Sequence, residues 1–306
     1  MLQITDHPLY GKHELDSAMN KFWKFYKSRF LTMFLASFIM TVVVQYISSN
    51  YLNIKELQSI QDTSVFLEKI KDYIVPILVI SLIGLLFNNI LYYYILFSPL
   101  DKSRNIFISA LYSLKYFIPY LVILILVAFF GSFALALGFL VFVVGMIFSL
   151  IYLMMISMFI MPVMMAEGIN IGHTITRTLK LSHRNFWNNM GWTSVLLTLI
   201  LVISVVLSGV ILFLFTGSFV RSFTNPEDAS KILEITKNPL YLILSGLVNA
   251  LTIPAIPIFS FLLYFNSRAR EVIVQPPVYG DNGYKVTVDD LYAKPLPENY
   301  NDERKD

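Results

Sequence analysis

The sequence predicts an all-α polytopic membrane protein with six transmembrane helices, and two observations carry that prediction. All forty-three charged side chains, 23 Lys and Arg with 20 Asp and Glu, fall outside the long apolar runs. Those runs are each about 19 to 27 residues long, the length that crosses a ~30 Å hydrocarbon core as a helix. Composition agrees, with 56% of the chain hydrophobic and 14% charged, against about 25% charged in a soluble domain. The net charge of +3 is too small to imply nucleic acid as a partner. With no cysteine in the chain, disulfides, thiolate metal sites and thiol nucleophiles are excluded.

The elements follow in order. Residues 1–29 are polar and contain Asp6, Glu14 and Asp16. They lack the apolar core and small-residue cleavage site of a signal peptide, so the first apolar run is expected to stay as a membrane helix. Spans are expected at residues 30–48, 73–97, 117–136, 139–165, 189–215 and 239–265. Residues 117–165 form one apolar stretch. As a single helix at 1.5 Å per residue it would reach more than ~70 Å, so it must turn. Ala136-Leu137-Gly138 is the expected place, because glycine supplies backbone freedom. Two external inserts, 54–70 and 226–235, read as short surface helices, the second with Asn225 as N-cap before Pro226. Residues 1–271 thus form the membrane domain. Residues 272–306 hold Pro276, Pro277, Pro295 and Pro297 and few apolar side chains, and are expected to be a largely disordered tail. Within it, 284–288 alternates apolar and polar residues, a pattern that suits a strand added to a partner's sheet.

Lysine and arginine counts set the expected orientation. One side carries seventeen, from 1–29, 98–116, 166–188 and everything after the last span, 266–306, and the other carries six, from 49–72 and 216–238. Both termini are therefore expected in the cytoplasm. Trp23, Trp187 and Trp192 fall on that same face, where indole rings anchor helices at headgroup level. A threefold pattern accompanies this. Each outward-going span follows a basic, aromatic-rich stretch, at 18–29, 102–116 and 171–190. In the third, Ile171, Ile175 and Leu179 share one helical face and Arg177, Lys180 and Arg184 another. The expected architecture is three transmembrane hairpins, each preceded by a cytoplasmic interfacial amphipathic helix.

The chemical inventory is sparse. His7, His13, His173 and His183 all lie outside the spans, which argues against an intramembrane haem or zinc. No ionisable residue lies inside a span, whereas proton and sodium coupling usually needs one. Serine–glycine pairs lack a GxSxG context, and there is no Walker A loop. No catalytic residue, metal ligand or cofactor site is expected. Six methionines, Met154, Met155, Met158, Met161, Met164 and Met165, read as adaptable packing. The remaining intramembrane polarity includes Asn88 and Asn89, and Asn249 and Thr252 ahead of Pro254 and Pro257. Proline frees helix carbonyls, so Asn249, Thr252, Pro254 and Pro257 form a candidate intramembrane groove, against the simpler reading of a kink with interhelical hydrogen bonds. At headgroup level, Glu167 is expected to pair with an arginine from the end of the last span. Glu167, Arg177, Lys180, Arg184, Arg268 and Arg270 are the candidate contacts for a lipid headgroup or a partner.

Residues 159–192 contain Pro162, Glu167-Gly168, Arg177, Leu181-Ser182 and Phe186-Trp187, and the last span ends in Arg268 and Arg270. In this pattern the chain resembles the bacterial glycerophosphoryl diester phosphodiesterase membrane-domain family. The family's soluble catalytic barrel needs about 250 residues, so its catalytic positions have no counterpart here. The resemblance implies a six-helix integral domain, without assigned biochemistry, in a bacterial cytoplasmic membrane. The expected function is a non-enzymatic subunit or scaffold of an envelope complex, contacting membrane lipids and another membrane or envelope protein through its basic collar and tail. The alternative is a carrier or binder of a lipid or small hydrophobic solute.

Overall fold

The computed structural model describes residues 3–52, 62–101, 103–216, 235 and 238–274. Among them every regular element is helical. Six segments are long and apolar enough to cross a membrane: Phe30–Tyr51, Ser64–Phe97, Ile106–Leu140, Phe142–Glu167, Phe186–Phe215 and Pro239–Glu271. After a 3-10 turn at Ile4–Asp6 come α1 (Leu15–Ser28), α2 (Phe30–Tyr51), α3 (Thr63–Phe97), α4 (Ile106–Leu140) and α5 (Phe142–Glu167). Then follow α6 (Ile171–Arg184), α7 (Phe186–Thr216), α8 (Pro239–Thr252) and α9 (Ala255–Val274).

Short polar side chains start most of these helices by accepting from the first, otherwise orphaned, backbone N–H groups. Asn105, Asn170 and Asn238 accept from Ile108, His173 and Leu240 at 2.9 Å. Asp62 accepts from Ser64 at 2.7 Å, and Glu14 and Ser17 cap α1 reciprocally. Helix α5 packs against α4, α6, α7 and α9; α2 packs against α3 and α8; α7 packs against α8; and α1 lies on α9.

Four details differ from the sequence expectation. The turn expected at Ala136-Leu137-Gly138 lies later, because α4 continues to Leu140 and the chain reverses at Val141, with Phe142 at φ 58°. Gly138 serves a different purpose. A Cβ there would lie 2.7 Å from the Gly145 carbonyl oxygen, and a Cβ on Gly145 would collide with that of Gly138. The two glycines let α4 and α5 touch backbone to backbone just below the turn. Second, residues 106–116 are not a separate interfacial helix but the opening turns of continuous α4, since nothing after the Asn105 cap ends the helix. Third, the last span is two helices. Pro254 has no N–H to offer and crowds the preceding turn, and α1 covers the break, the Tyr26 hydroxyl donating to the Leu251 carbonyl at 2.8 Å. Fourth, Trp192 is buried against Phe259 rather than at an interface, whereas Trp23 and Trp187 are exposed. The proposed insert helices fall largely outside the described residues. Of 54–70, residues 63–70 are the first turns of α3, and of 226–235 only Ile235 is described. Of the tail, α9 takes in residues up to Val274, and 275–306 lie outside the described residues.

The core is concentrated at one end, the end that carries α1 and α6, which we call the basic end. Residues 91–96 of α3, 158–165 of α5 and 257–265 of α9 are buried without interruption. Of the six methionines from Met154 to Met165, five are among the buried residues, as their packing role requires. At the far end, Phe139 to Val144 are all exposed apolar residues.

Candidate functional site

The site is an ionic cluster at the basic end, assembled from the ends of α5 and α9 and one face of α6. Gly168, at φ 123°, ends α5 directly after Glu167, a backbone geometry that favours glycine. The chain then restarts at the Asn170 cap, so α6 returns across the bundle and lays Arg177 against Glu167. Arg177 Nε donates to Glu167 Oε2 at 2.8 Å, and its Nη1 donates to Glu271 Oε1 at 2.8 Å. Its Nη2 bonds the other Glu271 oxygen. One guanidinium therefore grips α5 with one edge and forks onto α9 with the other, the bidentate geometry that distinguishes Arg from Lys. Arg268 Nη1 and the Tyr264 hydroxyl both donate to Glu167 Oε1 at 3.0 Å. Arg184 Nη1 pairs with Glu271 Oε1 at 3.3 Å, and Arg268 lies 3.7 Å from Glu271 Oε2.

The centre of this cluster is nearly dry, with side-chain exposures of 13% for Arg177, 10% for Glu167 and 17% for Glu271. Its hydrogen bond to Glu271, aided by Glu167, holds the Arg177 guanidinium above its ordinary pKa. Three arginines face two carboxylates, and Lys180, close by, makes no ion pair among the described residues. The cluster therefore carries surplus positive charge. That surplus faces an open cleft of about 480 Å³ lined by Glu167, His173, Thr176, Arg177, Lys180 and Arg268. Such a cleft can receive an anionic group; its lining offers the cations Arg177, Lys180 and Arg268 beside the Glu167 carboxylate, while the Thr176 hydroxyl is taken up by carbonyls of its own helix.

Of the candidate residues, Glu167, Arg177, Arg184 and Arg268 come together, and Lys180 borders their cleft. Arg270 does not join them. It points to the opposite side of α9, donating to the His13 carbonyl at 3.2 Å and to Asn266 Oδ1 at 3.3 Å. The four groove candidates are not gathered on one exposed face. Asn249 is exposed, Pro254 and Pro257 are buried, and the Thr252 hydroxyl bonds carbonyls of its own helix. Glu271 and Tyr264 are central partners that the sequence reading did not single out. The available signal was charge arithmetic: one carboxylate cannot balance the arginines near it, and Glu271 is the next acid along.

The N-terminal segment forms a second polar feature at this end. Pro99 has no N–H, so the Ile95 carbonyl lacks its usual helical donor. His7, 2% exposed, supplies one through Nε2 at 3.0 Å, while its Nδ1 accepts from the Leu9 N–H at 3.2 Å. That pairing fixes a neutral tautomer, and the ring rests 4.9 Å from the Phe265 centroid. Burial pushes the His7 imidazole down to about 4. The His13 N–H donates to Asn266 Oδ1 at 3.0 Å.

Among the described residues no group of three His, Cys, Asp or Glu side chains could hold a metal ion. Compared with known proteins, the chain matches no protein-family model, no curated protein and no solved structure.

Proposed function

We propose that this chain is a non-enzymatic docking subunit of a bacterial envelope complex, embedded in the inner membrane with both termini in the cytoplasm. The observation that carries the reading is the basic cleft beside the ionic cluster. Its cations stand on α6 and α9, which Arg177 cross-links to each other and to α5, so the cleft is preorganised and loses little conformational freedom when an acidic partner segment binds. The seventeen-to-six lysine and arginine imbalance supports the orientation, and residues 272–306 provide a further contact. The pattern in 159–192 supports placing the chain with the six-span membrane domains it resembles.

Gentle extraction in native lipid, followed by mass spectrometry of what co-purifies, tests this. The expected result is a stoichiometric protein partner whose recovery falls on deleting 272–306 and on the charge reversal Lys180→Glu. Recovery indifferent to both changes, or a protein that purifies alone, overturns the docking reading.

A further inference from the structure

We infer that Arg29 holds the phosphate group of a membrane phospholipid at the junction of α1 and α2. The site shares no residue with the basic cleft, so the inference stands apart from the docking proposal.

The Arg29 guanidinium is fixed in place but only partly used. Its Nη1 donates to the Ser98 hydroxyl at 2.6 Å and to the Tyr94 hydroxyl at 3.4 Å. Its Cζ lies 5.5 Å from the Phe25 ring centroid and 5.6 Å from that of Tyr94. All of these partners are neutral. Nε and Nη2 meet no acceptor among the described residues, and neither is among the buried polar atoms without a partner. That edge is therefore accessible, and it can donate to two oxygens of one phosphate side by side.

Arg104 shows what completes such a setting. It too lies over a tyrosine ring, that of Tyr112 at 4.5 Å, and donates from Nη1 to a tyrosine hydroxyl, that of Tyr93, at 3.3 Å. Its Nε, however, donates to Asp101 Oδ2 at 3.3 Å. Among the described residues the fold supplies a carboxylate at Arg104 and none at Arg29. A half-buried cation in neutral company is costly, and an anion from outside offsets that cost.

Position names the anion. Arg29 directly precedes the span Phe30–Tyr51, and Ser98 directly follows the span Ser64–Phe97. Two spans therefore reach their ends, independently, at residues one hydrogen bond apart. Phe30 and Leu31 are exposed and apolar, and Trp23 is exposed on α1, so this is the level where hydrocarbon gives way to headgroups. The anion that every phospholipid carries at that level is phosphate. Lys24 and Lys27 are exposed in the turns of α1 just before Arg29, so a phospholipid of net negative charge binds best.

The test needs no variant. The full chain, freed of phospholipid in an alkyl maltoside, is treated with phenylglyoxal, which modifies accessible guanidinium groups, and the modified arginines are mapped by mass spectrometry. Arg29 should react, and added phosphatidylglycerol should slow its reaction about tenfold. The diacylglycerol with the same chains should not protect, because it lacks the phosphate. Glycerol 3-phosphate at the same concentration should not protect either, because it lacks the chains that hold it at this level. Arg177, whose Nε, Nη1 and Nη2 all meet carboxylate oxygens, should react slowly in every arm. Equal protection by diacylglycerol means cover by chains alone and overturns the inference. Equal protection by glycerol 3-phosphate makes the ligand a soluble phosphate and overturns the lipid assignment. An Arg29 that is unreactive without phospholipid, or equally reactive with it, also overturns the inference.

Discussion

The two ends of the bundle are held together by different means. At the basic end, Arg177 binds two carboxylates from two helices, His7 fills the carbonyl that Pro99 leaves open, and Tyr26 covers the break before Pro254. At the far end of α4 and α5 the charged groups are gone, and Phe139 to Val144 face outward. What holds α4 to α5 there is the contact between Gly138 and Gly145. The difference teaches where specificity comes from in an apolar solvent. Lipid is as apolar as leucine, so burying leucine gains little, and close packing or hydrogen bonding must decide which helices meet. The far end uses close packing of backbone, and the basic end uses polar groups fixed at several points.

The sharpest way to break this contrast is Arg177→Met. It leaves Glu167 and Glu271 without their shared cation, and thermal unfolding in a mild detergent should show a loss of about 3 kcal/mol. Leu137→Ala at the exposed far end should cost less than about 0.5 kcal/mol; equal losses at the two positions would erase the distinction. Acidification is next in size. Below the unfolded value of 6.5 and above about 4, the unfolded chain binds a proton at His7 that the folded chain refuses. Stability therefore falls as pH falls through this window, by about 1.4 kcal/mol per unit. Going from pH 7 to pH 5 should cost about 2 kcal/mol. His7→Gln, which keeps a donor but does not titrate, should flatten the profile, apart from a smaller contribution of the same sign from His13. Gly145→Ala should cost about 2 kcal/mol by forcing the backbones apart, and spin labels on Leu137 and Ile147 should report the widening at the far end alone. The smallest effect is a gain. Phe142 is 83% exposed and sits at positive φ, so Phe142→Gly should stabilise by about 0.5 kcal/mol.

Much of the fold was legible because membrane crossing imposes length and apolarity on consecutive residues, and such a signal survives in a linear sequence. The candidate cluster was legible in part. Glu167 and Arg268 flank span ends, and Arg177 and Arg184 lie on one face of a periodic segment, so their meeting follows from topology. Arg270 misled, because two residues along α9 turn a side chain about 200° and place it on the other side. The turn at Gly138 was misplaced because glycine serves both bends and close approaches, and only the neighbour across the gap tells them apart. The seating of residues 3–14 was invisible. Pro99 shows that the Ile95 carbonyl lacks a donor, but no periodicity in the N-terminal segment says that His7 supplies it.

That seating has a consequence for the order in which the molecule is made. His7 and His13 are synthesised about 250 residues before the groups that hold them, which include Phe265, Asn266 and Arg270. Residues 3–14 must therefore wait, unseated, until α9 has been delivered to the membrane. Until then His7 is a solvated imidazole, and its disappearance from solvent marks a chain in which residues 3–14 have met α9.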